Sequence, residues 1–240
     1  MFDLAYYQTL WPRLFSGFWL SLSTIIPAAL AGLAIGVVVG TVRGAMFPRF
    51  LVAPLNAYVS LFRGTALVVQ LFVCYYGLPQ LAMWLKPFFA ARGLPELWRI
   101  FYLSPYAASV LIFALCSGAY HSEYIRGAIL SIKKGQFAAA RALGFTQAQT
   151  FWNIIVPQAA RRAWPGCGNE IVYLIKYSSL AYIVTFKELT GTAMTLANSS
   201  FRYAETFFAA GLYYLFMTTL AAWIMRRLEK AYAVPGFGRG

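Results

Sequence analysis

The sequence predicts an all-α integral membrane protein: five transmembrane helices, with the N-terminus outside and the C-terminus in the cytoplasm. Three observations predict it. The 240 residues are 60% hydrophobic and only 11% charged, beyond globular norms. Residues 14–42 carry no charged side chain and, at about 1.5 Å per helical residue, outreach the roughly 30 Å hydrocarbon core. The basic residues, finally, divide unequally between the connections. Unpaired backbone groups cost several kcal/mol each in lipid, so apolar runs of this length form helices.

The first span, 14–42, carries Gly32, Gly36 and Gly40, a small-residue ridge along which a second helix can approach closely. Pro27 predicts a bend and not a break. No basic region precedes this run, which therefore reads as a helix that stays in the membrane. The second span, 50–85, is interrupted only by Arg63, about 13 residues in and so near mid-depth. Residues 79–104, with Pro79, Pro87, Pro95, Trp84 and Trp98, read as an outer loop whose tryptophans form an interfacial belt. The third span, 100–120, runs into Glu123 and Arg126, spaced to pair on a helix. His121, the single histidine, reads as a packing residue.

Residues 131–150 form a polar connection of unusual design. Residues 136–143 are rich in helix formers, and Gly144 stands where a left-handed cap would end that helix. Thr146 and Gln149 have capping-box spacing for a new start. Ala138, Ala139 and Ala140 predict a face nearly free of side chains, which a neighbouring protein can grip. Pro157 kinks the chain as it enters a fourth span, 151–179, whose start is loosened by Pro165, Gly166 and Gly168. The fifth span, 206–225, stops at Arg226, Arg227 and Lys230.

Five alternating spans put Arg43, Arg49, Arg126, Lys133, Lys134, Arg141, Arg161, Arg162, Arg226, Arg227, Lys230 and Arg239 on one side. Arg13, Lys86, Arg92, Arg99, Lys187 and Arg202 fall on the other, while Arg63 and Lys176 stay inside spans. Basic connections remain cytoplasmic, which sets the orientation. The net charge of +13 thus reflects topology and lipid contact, since a nucleic-acid reader needs one basic soluble surface. Cys74, Cys116 and Cys167 are odd in number and widely spaced, so they read as packing residues without a disulfide framework or metal site. No serine elbow, zinc-protease motif or phosphate-binding Gly-Lys-Ser/Thr loop occurs, which leaves neither an enzyme nor a motor in this chain.

Arg63, Glu170 and Lys176 are the charges with work to do inside the bilayer. A cation suits an α-carboxylate, arginine best because it bonds with two prongs. Glu170 suits an ammonium or a cationic side chain. Tyr173 and Tyr177 stand three and seven positions after Glu170, on its face. Arg63 pairing with Glu170 simply to hold two helices together is the alternative.

Three blocks resemble the polar amino acid permeases of ABC importers, the histidine, arginine and opine group: FRGTALVVQ (62–70), AYHSEYIRGAILSI (119–132) and NEIVYLIKYSSLAYIVTFKEL (169–189). Ala66 replaces the group's usual proline, which predicts a milder break there. The docking signature E-A-A, three residues, G, nine residues, I-x-L-P is matched at Ala139, Ala140, Gly144, Ile154 and Pro157. Ala138 replaces its glutamate and Val156 its leucine, shifting polar contact to Gln136 or Arg141.

The resemblance implies a type I importer permease fold filling residues 1–240 as one domain in the bacterial inner membrane. Its partners would be two ABC ATPase subunits that use ATP and Mg2+, a second permease subunit, and a periplasmic or surface solute-binding protein. It implies no cofactor in this chain and a basic or opine-type amino acid as substrate. It carries substrate roles to Arg63, Thr65, Glu170, Tyr173 and Lys176, and ATPase coupling to Gln136, Ala139, Ala140, Arg141, Gly144 and Pro157. An ion- or proton-coupled amino acid carrier is the rival class, although such carriers usually show internal repeats.

Overall fold

A computed structural model describes residues 4–45, 47–93 and 96–231; Pro95 and Arg239 lie outside them. The described residues hold ten α-helices and no strand. Helix α1 (Leu4–Gly44) runs 41 residues without interruption. At Pro27 the helix continues, and the Ser23 carbonyl that the proline leaves without its helical donor accepts the Tyr106 hydroxyl at 3.0 Å. Tertiary structure has supplied the donor that proline lacks.

Helix α2 (Arg49–Gly64) ends one residue after Arg63. Thr65 and Ala66 are non-helical, with Ala66 extended at φ −69° and ψ 132°, and α3 (Leu67–Phe72) follows. The second span is therefore broken and not continuous, and alanine in place of proline has not erased the break. A π-helical turn (Val73–Gly77) leads into α4 (Leu78–Ala90), and a 3-10 turn covers Leu97–Phe101. The expected outer loop is thus largely helix. Pro79 follows the π turn directly and lies inside the continuous helical run 67–90.

Helix α5 (Pro105–Leu130) precedes the short α6 (Lys134–Ala142) and the single turn α7 (Gln147–Thr150). A second π turn (Phe151–Ile155) opens into α8 (Val156–Tyr177). Both π turns end two residues before a proline, Pro79 and Pro157. The wider turn takes up the carbonyl that each ring would otherwise strike. A 3-10 segment (Ser178–Val184), α9 (Leu189–Ser200) and α10 (Tyr203–Ala231) complete the chain. Among the described residues, three stretches are long and apolar enough to cross a membrane: 6–44, 67–90 and 203–231. Helices α5 and α8 carry His121, Glu123 and Arg126, or Arg161, Arg162, Glu170 and Lys176, which dilute their apolar character.

Contacts group the chain into two compact units. The first comprises Met1–Ala29, Thr65–Ala114 and Leu174–Met217. Glu188 is 1% exposed at the N-cap of α9. Its carboxylate accepts the Thr190 and Gly191 amides at 2.9 and 3.0 Å, the Tyr214 hydroxyl at 2.8 Å and the Ser21 hydroxyl at 3.2 Å. One side chain thereby ties α1, α9 and α10. Replacing it as Glu188→Gln turns one acceptor into a donor facing donors. We expect a loss of about 1–3 kcal/mol, read as a lower thermal midpoint of the detergent-solubilised protein; an unchanged midpoint would deny Glu188 this role.

The second unit comprises Leu30–Gly64, Leu115–Tyr173 and Thr218–Gly240. Its core gathers Ala128, Ile129, Ile132, Ile155, Ala159, Ala163 and Cys167. The small-residue ridge of α1 meets α5: a Cβ on Gly36 would lie 2.3 Å from His121 Cβ, and one on Gly40 2.7 Å from the Ser122 carbonyl oxygen. His121 is fully buried there, with Nδ1 2.8 Å from the Ser117 carbonyl oxygen. Helix α8 runs unbroken through Pro165, so its glycines do not loosen it. They admit neighbours instead: a Cβ on Gly166 would stand 2.9 Å from the Tyr124 ring, and one on Gly168 3.2 Å from Met225 Cβ.

Candidate functional site

The second unit holds a cluster of charges around Glu123. Its Oε1 accepts Arg126 Nη1 at 2.9 Å, the i,i+3 pair expected from the sequence. Its Oε2 accepts Arg43 Nη1 at 2.9 Å and faces Arg63 Nη1 at 3.6 Å. Arg43 is held further by Asn56 Oδ1, 2.7 Å from its Nε, and its side chain is only 8% exposed. Arg63 is 40% exposed, with its guanidinium carbon 5.3 Å from the centre of the Tyr120 ring. At 3.6 Å its ion pair is an attraction and not a hydrogen bond.

Arg63 therefore has Glu123 as its carboxylate neighbour, and not the Glu170 that its place in the sequence suggests. The signal lay in composition: 7 acidic residues serve 20 basic ones, so a carboxylate on an apolar helix attracts several arginines. Helix α8 carries Glu170, 3% exposed, and Tyr173, 48% exposed. They are three positions apart on one helical face, with Glu170 at its buried part and Tyr173 at its exposed part. Arg63, Glu170 and Tyr173 belong to the second unit. Thr65 and Lys176 belong to the first. Thr65 accepts Gln70 Nε2 on its Oγ1 at 2.8 Å and on its carbonyl at 3.2 Å, which stabilises the break after α2. Lys176 is exposed in the last turn of α8.

The polar connection folds as helix, sharp turn, helix. Gly144 takes φ +81°. The Phe145 amide donates to Ala140 O at 3.0 Å and the Gly144 amide to Arg141 O at 2.9 Å, the paired bonds of a Schellman cap. Thr146 then opens α7 with a complete capping box: Gln149 N donates to its Oγ1 at 3.2 Å, and its own N–H donates to Gln149 Oε1 at 2.9 Å.

The three alanines do not share a face. Ala140 is 1% exposed and turned inward, whereas Ala138 and Ala139 are exposed. Successive helical residues are about 100° apart, so three in a row sweep too far for one surface. Gln136, Arg141, Gly144 and Pro157 are exposed, and Leu143 is 76% exposed. Behind the helix lies a cavity of about 560 Å³ lined by Arg43, Ile129, Phe137, Arg141 and Phe151 among others. Arg162 Nη1 donates at 2.9 Å to both the carbonyl and the hydroxyl of Ser131, fixing the chain just before α6.

Among the described residues, apolar helices of membrane length, a cluster of charges around Glu123 and a doubly capped polar elbow together mark a transport subunit. The family model described as binding-protein-dependent transport system inner membrane component matches residues 11–234, and the chain belongs to that family. It is 36% identical over 211 residues to the octopine transport system permease protein OccM of Rhizobium meliloti, covering 85% of this chain and 82% of the relative. It is 34% identical over 218 residues to the nopaline transport system permease protein NocM of Agrobacterium fabrum, covering 91% and 87%.

Among solved structures, an amino acid ABC transporter crystallised with histidines superposes with a TM-score of 0.80 at 26% identity, covering 96% of this chain and 99% of that one. The chain is thus an inner-membrane permease subunit with the type I ABC permease fold. This membership sets aside the ion- or proton-coupled carrier.

Proposed function

We propose that this chain forms the translocation path of an ABC importer for basic or opine-type amino acids, as one permease domain over residues 1–240. Five spans, an outer N-terminus and a cytoplasmic C-terminus fit the two-to-one division of basic residues. ATP and Mg2+ are used by separate ATPase subunits; a second permease subunit and a solute-binding protein complete the assembly.

The observation that carries this reading is the doubly capped elbow, 134–150. It is rigid, largely exposed and placed between two long helices, so force applied to it reaches both. Ala138, Ala139, Arg141, Gln136 and Gly144 offer the ATPase its surface, while Ala140 anchors that surface from within and Pro157 passes motion into α8. Within the second unit Arg63 answers the substrate's carboxylate, Glu170 its ammonium or guanidinium, and Tyr173 adds a contact; Thr65 and Lys176 take substrate roles by the resemblance alone. Opines, which join an amino acid to a keto acid through a secondary amine, need more than one cation, and the relatives named for octopine and nopaline support that class.

Vesicles holding the permease, its ATPase and its binding protein are expected to accumulate arginine or octopine only when ATP is supplied. Equal accumulation without the ATPase would overturn the transport reading. ATP-driven transport of neither probe would overturn the substrate class.

A further inference from the structure

We propose that Glu123 is a stand-in for the substrate's carboxylate, occupying Arg63 while the site is empty and yielding it when substrate arrives. The inference rests on the reading of Arg63 as the substrate's carboxylate partner. Its support is the inequality within the charge cluster. Glu123 is fastened by two charge-assisted hydrogen bonds of 2.9 Å, to Arg43 and Arg126. Its third arginine stands at 3.6 Å, too far for a hydrogen bond, and is more exposed than the other two. Arg63 is thus attracted but not committed, and it rests against the Tyr120 ring at 5.3 Å.

Three guanidiniums around one carboxylate also leave a surplus of two positive charges. Such a surplus creates a positive potential that favours a second anion. Arg63 is the member that makes no hydrogen bond to Glu123. Its planar fork binds a carboxylate with two prongs, which a shared oxygen at 3.6 Å does not satisfy. Exchange is easy in both directions, because Glu123 keeps Arg43 and Arg126 when Arg63 leaves. The arrangement keeps Arg63 from standing uncompensated when empty, and it limits how tightly any carboxylate is held. A transporter needs that limit, since a substrate bound too tightly is not released.

The test is equilibrium dialysis of arginine and octopine against the detergent-solubilised permease–ATPase complex without binding protein, with argininamide as the ligand lacking the carboxylate. Glu123→Gln removes the competing charge. Arginine binding should tighten by about tenfold, argininamide binding should not change, and turnover in vesicles should slow as release slows. Glu123→Asp keeps the charge and should restore the unmodified behaviour.

Arg126→Gln, at a position 36% exposed, frees one oxygen of Glu123 to compete for Arg63 and should weaken arginine binding. This opposite sign keeps the test decisive if Glu123→Gln does not accumulate. Unchanged or weakened arginine binding in Glu123→Gln, or unchanged or tightened binding in Arg126→Gln, overturns the stand-in. Failure of the underlying reading looks different: Arg63→Ala would still prefer arginine to argininamide.

Discussion

Gly144→Val is expected to reduce uptake and substrate-stimulated ATP hydrolysis by about tenfold or more, the factor that 1.4 kcal/mol represents, with membrane insertion intact. Gly144 sits at φ +81° with nothing within 4 Å of where a Cβ would project. Steric room is therefore not at issue; the backbone conformation is. A non-glycine residue in the left-handed region costs about 1–2 kcal/mol, and a β-branched one is least tolerated.

That strain falls on two hydrogen bonds, Phe145 N to Ala140 O and Gly144 N to Arg141 O. If the chain leaves the left-handed turn to relieve it, both carbonyls lose their caps and α7 is re-aimed relative to α6. The surface offered to the ATPase is then misplaced while the apolar helices are untouched. Gly144→Asn, a residue that visits this region readily, should retain most activity. Uptake by the valine variant at the unmodified rate would remove the elbow from the coupling path.

That elbow was legible in the sequence because its determinants are local. A glycine after a run of helix formers and a threonine three residues before a glutamine each specify geometry within one turn. The break after α2 was less so: Ala66 carries no signature of an extended backbone, and the proline that would have announced it is absent. Prolines in 79–104 suggest a loop, whereas the π turn over 73–77 lets the helix continue through Pro79.

The Glu123 cluster divided along the same line. Arg126, three positions away, could be assigned from helical periodicity. Arg43 and Arg63 come from other helices, 80 and 60 positions earlier by subtraction of residue numbers, and no local pattern connects them. Glycines showed a further ambiguity. In α8 they suggested a loosened helix, whereas Gly166 and Gly168 sit in a continuous one and admit Tyr124 and Met225. Whether a glycine bends a helix or lets a neighbour in depends on what faces it.

The same distinction gives the largest expected effect on stability. A Cβ added at Gly36 would lie 2.3 Å from His121 Cβ and 3.2 Å from both His121 C and Ser122 N. These are not side-chain tips that can swing aside, so α1 and α5 must separate. Between apolar helices in lipid the attraction is close packing itself, and separation forfeits it along the ridge. Overpacking a core costs about 1–3 kcal/mol where neighbours can adjust, and Gly36→Ala should reach or exceed the top of that range.

Gly44 provides the comparison. Its added Cβ would come within 2.8 Å of Ile129 Cδ1, which can turn aside, and 3.1 Å of Ile129 Cβ, which needs a shift of a few tenths of an ångström, so Gly44→Ala should cost about 1 kcal/mol, the low end of that range. Heating both variants in detergent and measuring the fraction that remains monodisperse separates them. Equal loss would mean that α1 and α5 are not held by their backbones' approach at His121, and the ridge would lose its place as the seam of the second unit.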